Sequence, residues 1–299
     1  MVSQQQAIEA FYRLYQAYHN KRFTKTLNFT QKTEREILSL VRSYLLGYFE
    51  HLEPEAMIQV GSNYRGRFDF LIDNIAVEFA VRSANKGGNN LKAKNNVNEM
   101  KKLIRYPDHS LMILFDFKRY RTDDEVIATL KEYRNIPSLG RGNHNRYPFT
   151  VAYFYQDESG DLCYYTRRIR VKRRPVSLAQ DKHIIEEFKI ISQRELIATE
   201  FDLENGGEHI QDYEVEIRVK DNELTIEYQD VNGGYHQYKG VEIAQDTYEL
   251  TSTENPRNTA TMTLYIYEDE LLTIEGELIE DNHKKGWVIE RKQENKNIE

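Results

Sequence analysis

The chain has almost none of the devices that staple a protein or anchor it in a membrane. One cysteine, Cys163, stands in 299 residues, so no internal disulfide can form and no zinc ribbon can be built. Apolar runs are short. The stretch SLMILF at 110–115 falls far below the ~20 residues of a membrane-crossing helix. The opening MVSQQQAIEAFY has neither a basic n-region nor an apolar h-region, so no signal peptide is expected. The eight histidines form no pair at helical or finger spacing, which leaves no histidine metal site to read. What is present excludes disorder: 39% of the residues are hydrophobic and 12% aromatic. The expectation is a soluble, cytoplasmic protein. At roughly 100–200 residues per domain it has one large domain or two ordinary ones.

The net charge of −7 conceals a division. Up to Arg194 there are 32 Lys+Arg and 22 Asp+Glu, a net of +10; from Glu195 onward there are 9 and 26, a net of −17. The basic part suits a polyanion, because Lys and Arg release counterions from phosphates. The acidic part would repel nucleic acid. The plainer alternative is that the two halves attract each other through opposite charge.

Periodicity divides the chain in the same place. Residues 5–19 read as an amphipathic helix through Ile8, Phe11, Tyr12 and Tyr15, followed by a basic connector to residue 30. A helix from Thr33 to about Phe49 follows, with Leu38, Val41 and Leu45 on one face. Three strands are expected at 56–60, 67–72 and 75–81, then a helix at 91–105, a strand at 111–117 and a helix at 123–133. Strands at 149–155 and 162–171 close the basic part. The first three strands are expected to be antiparallel, with one later crossover, which is a mixed-sheet α/β fold. A helix at 179–196 bridges to seven or eight short strands at 197–290, an antiparallel barrel or sandwich, and 291–299 is a fraying tail.

The chemistry concentrates in one hairpin, Arg65-Gly66-Arg67-Phe68-Asp69-Phe70-Leu71-Ile72-Asp73-Asn74-Ile75-Ala76-Val77-Glu78-Phe79-Ala80-Val81-Arg82. Asp73-Asn74 is a suitable two-residue turn, since both side chains tolerate positive φ. Counting back from it places Asp69 opposite Glu78 on one face. Two facing carboxylates repel, and a hard divalent cation such as Mg²⁺ or Mn²⁺ relieves them. The bland alternative is an amphipathic hairpin with solvated charges.

This hairpin resembles the PD-(D/E)xK (restriction-endonuclease-like) nuclease superfamily, whose core order of helix, three strands, helix and strand matches residues 33–117. The resemblance implies a nuclease domain over 31–178, with Asp69 and Glu78 as metal ligands. Glu34 would be a further ligand from the first core helix, and Asn98 or Glu99 a polar residue from the next. Ala80 stands where the family's lysine is expected. Three cations are candidates to replace it: Arg82 on the Glu78 face, Arg67 opposite Ala80, and Lys92 (or Lys94) from the following helix. Arginine is no base at neutral pH, so metal-bound water would be the nucleophile. The resemblance also brings a homodimer into consideration.

Further cations could contact nucleic acid. Arg168, Arg170 and Lys172 share a face if 162–171 runs on as a strand, and Arg141 and Arg146 flank a glycine-containing loop. An edge strand protected by solvated charge is the plainer account of the first group. The C-terminal part has a faint lipocalin- or avidin-like rhythm, and Tyr238, Tyr265 and Trp287 either line a small-ligand cup or fill a core. The expected function is metal-dependent hydrolysis of phosphodiester bonds, most readily DNA, in restriction, phage defence or repair. The alternatives are a catalytically silent nucleic-acid-binding protein of the same fold and a ligand sensor using the barrel.

Overall fold

The computed structural model describes the chain apart from residues 25–27, 61–63, 86–89, 119, 142–143, 177–180, 182–195, 221, 231, 268–271, 292–295 and 299. The chain divides into two units, Met1–Val171 with Asn295–Glu299, and Lys172–Glu294. The 179–196 bridging helix falls almost wholly outside the described residues, and Leu196 already belongs to a strand. Among the described residues no helix is long and apolar enough to cross a membrane.

In the first unit, α1 (Gln4–His19) and the short α2 (Lys21–Thr24) precede α3 (Glu34–Tyr48). The strands β1 (Leu52–Pro54), β2 (Met57–Val60), β3 (Tyr64–Arg67), β4 (Phe70–Ile72) and β5 (Ile75–Arg82) follow. Then come α4 (Val97–Arg105), β6 (His109–Asp116), α5 (Asp123–Glu132), β7 (Phe149–Gln156) and β8 (Leu162–Ile169). The main sheet has the order β1-β4-β5-β6-β7-β8 and ends on β18 (Lys296–Ile298). β5–β6 and β6–β7 are parallel and the other pairs antiparallel, so the sheet is mixed. Each parallel pair is joined through a helix, giving two crossovers where the sequence reading expected one.

Two further expectations are corrected. The segment at 57–60 does not join the main sheet. It pairs with β3 as a separate ribbon, and Leu52–Pro54 takes the place beside β4. The C-terminal tail does not fray at Lys296–Ile298, which pairs with Tyr165, Tyr164 and Cys163 of β8 and so covers that edge.

β5 explains the layering. All eight of its residues are buried, as expected of a central strand covered on both faces. Ile75, Val77, Phe79 and Val81 face a core with α1 and α3, where the Phe11 ring lies 6.1–6.3 Å from Phe70, Phe79 and Phe115. Ala76 and Ala80 face the opposite core with Met100, Leu103 and Ile104 of α4 and Val126 and Leu130 of α5. Period two places Glu78 and Arg82 on this second face. The helix α1, which reads as a separate leading element, is integral to the first core. Ser3 caps it by accepting from the Gln6 N–H while the Gln6 side chain accepts from the Ser3 N–H.

The second unit opens with β9 (Arg173–Pro175). An eight-strand meander follows: β10 (Leu196–Asp202), β11 (Glu208–Lys220), β12 (Glu223–Gln229), β13 (Tyr235–Ala244), β14 (Thr247–Ser252), β15 (Thr259–Tyr267), β16 (Leu272–Glu280) and β17 (His283–Arg291). Each strand pairs antiparallel with the next, and β17 closes on β10 from Leu196↔Arg291 to Asp202↔Lys285. The choice between barrel and sandwich is thereby settled as a closed barrel, which has no free edge among its eight strands. The wall is tight enough that a Cβ on Gly240 would lie 1.7 Å from the Glu249 carbonyl oxygen, so glycine is required there. Tyr238 and Trp287 are buried core residues with rings 5.4 Å apart. Tyr265 faces away from that core, with the Arg173 guanidinium 4.2 Å from its ring centroid.

Candidate functional site

The Asp73-Asn74 turn forms as the sequence dictates. Ile72 pairs with Ile75, Phe70 with Val77, and Asp73 adopts a φ of 51°. The ladder ends at Phe70, so Asp69 sits one residue beyond it, opposite Glu78, where its Oδ2 accepts from the Phe79 N–H at 2.9 Å. That bond holds Asp69 beside Glu78, close enough for the Asp69 charge to act on the Glu78 carboxyl. Two acids that repel in water are therefore held together by the fold.

They lie in a cleft of about 470 Å³ whose wall includes Glu34, Arg67, Asp69, Glu78, Asn95, Glu99 and Lys102. Glu34 arrives from the first turn of α3, which is started by the Thr33 N–H donating to Glu36 Oε2 at 2.7 Å. Glu99 comes from the first turn of α4 and Lys102 from one turn later, on the same helix face. Four carboxylates thus line one small volume, and the acidities of Glu34, Asp69 and Glu78 show it. Burial, with Asp69 and Glu99 nearby, pushes Glu34 up to about 7. Burial and the Asp69 charge push Glu78 up to about 9, against the opposing pull of the Lys102 ammonium. Asp69 is raised by burial and held back by the Phe79 N–H. Clefts that force carboxylates together at such a cost are where function concentrates.

The cation that meets Glu78 is Lys102, which the sequence expectations did not include. Lys102 ion-pairs with Glu78 Oε1, donates to the Arg67 carbonyl at 3.0 Å and lies 5.9 Å from the Phe68 ring centroid. Lys92 does not line the cleft; it precedes a short 3₁₀ turn at Ala93–Asn95, and α4 begins only at Val97. Arg67 does line the cleft, but from the β2–β3 ribbon and not opposite Ala80; it is exposed and 3.9 Å from Glu55. Of the two polar candidates on α4, Glu99 reaches the cleft and Asn98 does not.

Arg82 is on the Glu78 face as expected, yet its guanidinium is committed elsewhere. It binds both carboxylate oxygens of the fully buried Asp116, with Nε to Oδ1 at 2.7 Å. Asp116 also accepts from Tyr153 at 2.7 Å, Arg121 Nε at 3.1 Å and the Lys118 N–H at 2.9 Å. Asp116 is thus not a solvated strand end. It ties β5, β6 and β7 together. Asp116→Ala leaves Arg82 buried without its carboxylate, and about 3–5 kcal/mol of stability should be lost in a urea titration. A loss under about 1 kcal/mol would show that Arg121, Tyr153 and Arg82 do not depend on it.

The other cations lie outside the cleft. Arg141 and Arg146 are exposed on the α5–β7 segment, which is fastened to α4 by the Tyr147 N–H donating to the Ile104 carbonyl at 2.8 Å. Arg168 is exposed on β8, but the strand ends at Ile169, so Arg170 and Lys172 do not extend its face. Beyond them Arg173 ion-pairs with Glu275, and Arg174 binds Asp181 through two bonds of 2.5 and 2.7 Å. Those two cations of the basic run are therefore paired with acids of the second unit.

The donor set suits a divalent cation that keeps part of its water. Among the described residues no three acids converge closely enough to hold one ion as they stand. Mg²⁺, however, usually binds through one or two carboxylates and retains several waters, and Asp69 with Glu78 forms such a pair. The Glu78 Oε1 that meets Lys102 is buried and, despite the close ion pair, lacks hydrogen-bond geometry. The donor chemistry therefore fits, with Lys102 standing on one of the two ligands.

No family model matches the chain, and no curated protein matches it. Among solved structures, a redesigned β-barrel is similar over 33% of this chain and 89% of its own, at 14% identity and a TM-score of 0.24, which is too low to support any conclusion.

Proposed function

We propose that the first unit is a metal-dependent phosphodiesterase acting on DNA, built on the restriction-endonuclease-like plan. The observation that carries this reading is the cleft lined by Asp69 and Glu78, with Glu34 and Glu99 beside them and Lys102 supplying the cation absent at position 80. When bound, Mg²⁺ or Mn²⁺ would supply Lewis acidity and a water acidic enough to attack at neutral pH. The chain's part is to hold the oxygen ligands ready. Asp69 and Glu78 are the ligands, Asp69 oriented by the Phe79 N–H, and Glu34 approaches from α3 to take a third place or a bound water. Lys102 offsets charge gathering on the phosphate, and the exposed Arg67 at the cleft wall meets a flanking phosphate.

The direct test is supercoiled plasmid incubated with Mg²⁺, Mn²⁺ or EDTA. Nicking or linearisation that needs the metal supports the reading. Retardation of DNA at low salt with no cutting in any metal would replace it with the silent, nucleic-acid-binding form of the same fold.

A further inference from the structure

We infer that Lys102 is a competitor of the metal at Glu78, closing the site in its absence and turning to the phosphate once the cation has taken that carboxylate. This rests on the hydrolase reading of the cleft.

Three observations on the described residues lead to it. Four carboxylates line the cleft, yet no three of them converge, so the arrangement stops short of a complete ligand set. The ammonium of Lys102 fills that gap, in close contact with a buried Glu78 oxygen that has no hydrogen-bond geometry to it. The contact is therefore one of charge, which a dication replaces. Third, Lys102 has two other holds, the Arg67 carbonyl at 3.0 Å and the Phe68 ring at 5.9 Å. Neither involves a carboxylate. An ammonium displaced from Glu78 thus stays at the cleft wall on its flexible four-carbon stem, within reach of an incoming anion. A dication and an ammonium repel on the same oxygen, so occupancy by one excludes the other. An arginine at this position would not serve equally, because its fork is wider and more rigid.

The experiment is isothermal titration of the full-length chain with Mg²⁺ at pH 8.5, where protons on the carboxylates compete less than at neutral pH, beside plasmid cleavage at saturating Mg²⁺. Lys102→Met keeps the length of the side chain and removes its charge. Mg²⁺ should bind this variant at least about tenfold more tightly than wild type, while cleavage falls about a hundredfold. Circular dichroism checks the fold, and Lys102→Gln provides a second neutral variant should Lys102→Met be misfolded. A residue that merely packs would lower both quantities or neither. Unchanged or weaker Mg²⁺ binding in the neutral variants overturns the inference, as does the absence of Mg²⁺ uptake by every chain. Tighter Mg²⁺ binding by Lys102→Met in a protein that cuts nothing would uphold the competition and remove the hydrolase reading instead.

Discussion

Asp69→Asn and Glu78→Gln should each lower metal-dependent plasmid cleavage by about 10²–10³-fold or more, while DNA retardation measured in EDTA changes little. The asymmetry follows from where the charges lie. Asp69 is half-buried and Glu78 buried, and neither carboxyl group attracts phosphate, so replacing either by its amide cannot weaken the attraction of a basic unit for a polyanion. Both substitutions keep size and hydrogen-bonding capacity, and in Asp69→Asn the side-chain amide carbonyl still accepts from the Phe79 N–H. Global stability should therefore hold or rise, since a buried carboxylate costs more than a buried amide. Nicking at fixed protein and metal concentration checks the rate, and a parallel thermal melt checks the fold. Cleavage within about threefold of wild type in either variant would move the chemistry away from this hairpin.

Much of this site can be read from the order of residues, and the failures have physical causes. The Asp73-Asn74 turn sets the register, and period two then fixes which residues share the Glu78 face, because a slip of one residue would drive Ile75, Val77, Phe79 and Val81 onto the side that Ala76 and Ala80 now fill. Glu34 follows from the resemblance, which implies a glutamate on the first core helix, and its place four residues before Leu38 selects it over Glu36. Lys102 escapes the sequence reading because the apolar pattern starts the helix too early. Leu91 and Ala93 are buried and look like the opening of a helical stripe, but they belong to a turn that precedes α4. With the helix begun at Val97, the buried stripe is Met100, Leu103 and Ile104, and Glu99 and Lys102 flank it three residues apart. That spacing is the available signal. Arg67 reaches the cleft by a different route from the one expected. The run 67–72 reads as one strand, but Phe68 and Asp69 interrupt it, and β3 turns away to pair with β2. Local alternation cannot show which partner a short strand will choose. Nor can it show Asp116 holding Arg82, a contact between residues 34 positions apart. The charge division is real at the level of composition, but Arg173 and Arg174 are spent on Glu275 and Asp181.

The affinity of the cleft for Mg²⁺ should rise steeply between pH 6 and 9, with protons released on binding. Ligands must be deprotonated to bind a metal. With Glu34 at about 7 and Glu78 at about 9, both hold protons at pH 6, and the cation must expel them; at pH 9 Glu34 has lost its proton and Glu78 is about half deprotonated. The same shifts act on stability with the opposite sign. A carboxyl group raised above its unfolded value makes the folded chain bind more protons than the unfolded chain, so metal-free stability falls as pH rises from about 5 to 9. Glu34 alone is worth about 1–3 kcal/mol over that window, discounted for its partial exposure. Glu34→Gln should therefore melt several degrees higher than wild type at about pH 8.5 without metal, and no higher at about pH 5. Saturating Mg²⁺ should narrow the gap by stabilising wild type more than the variant. Titrations in buffers of different ionisation enthalpy measure the released protons directly. A pH-independent Mg²⁺ affinity, or a Glu34→Gln chain that melts lower at that alkaline pH, would mean that these carboxylates are solvated and that the cleft is not a metal site.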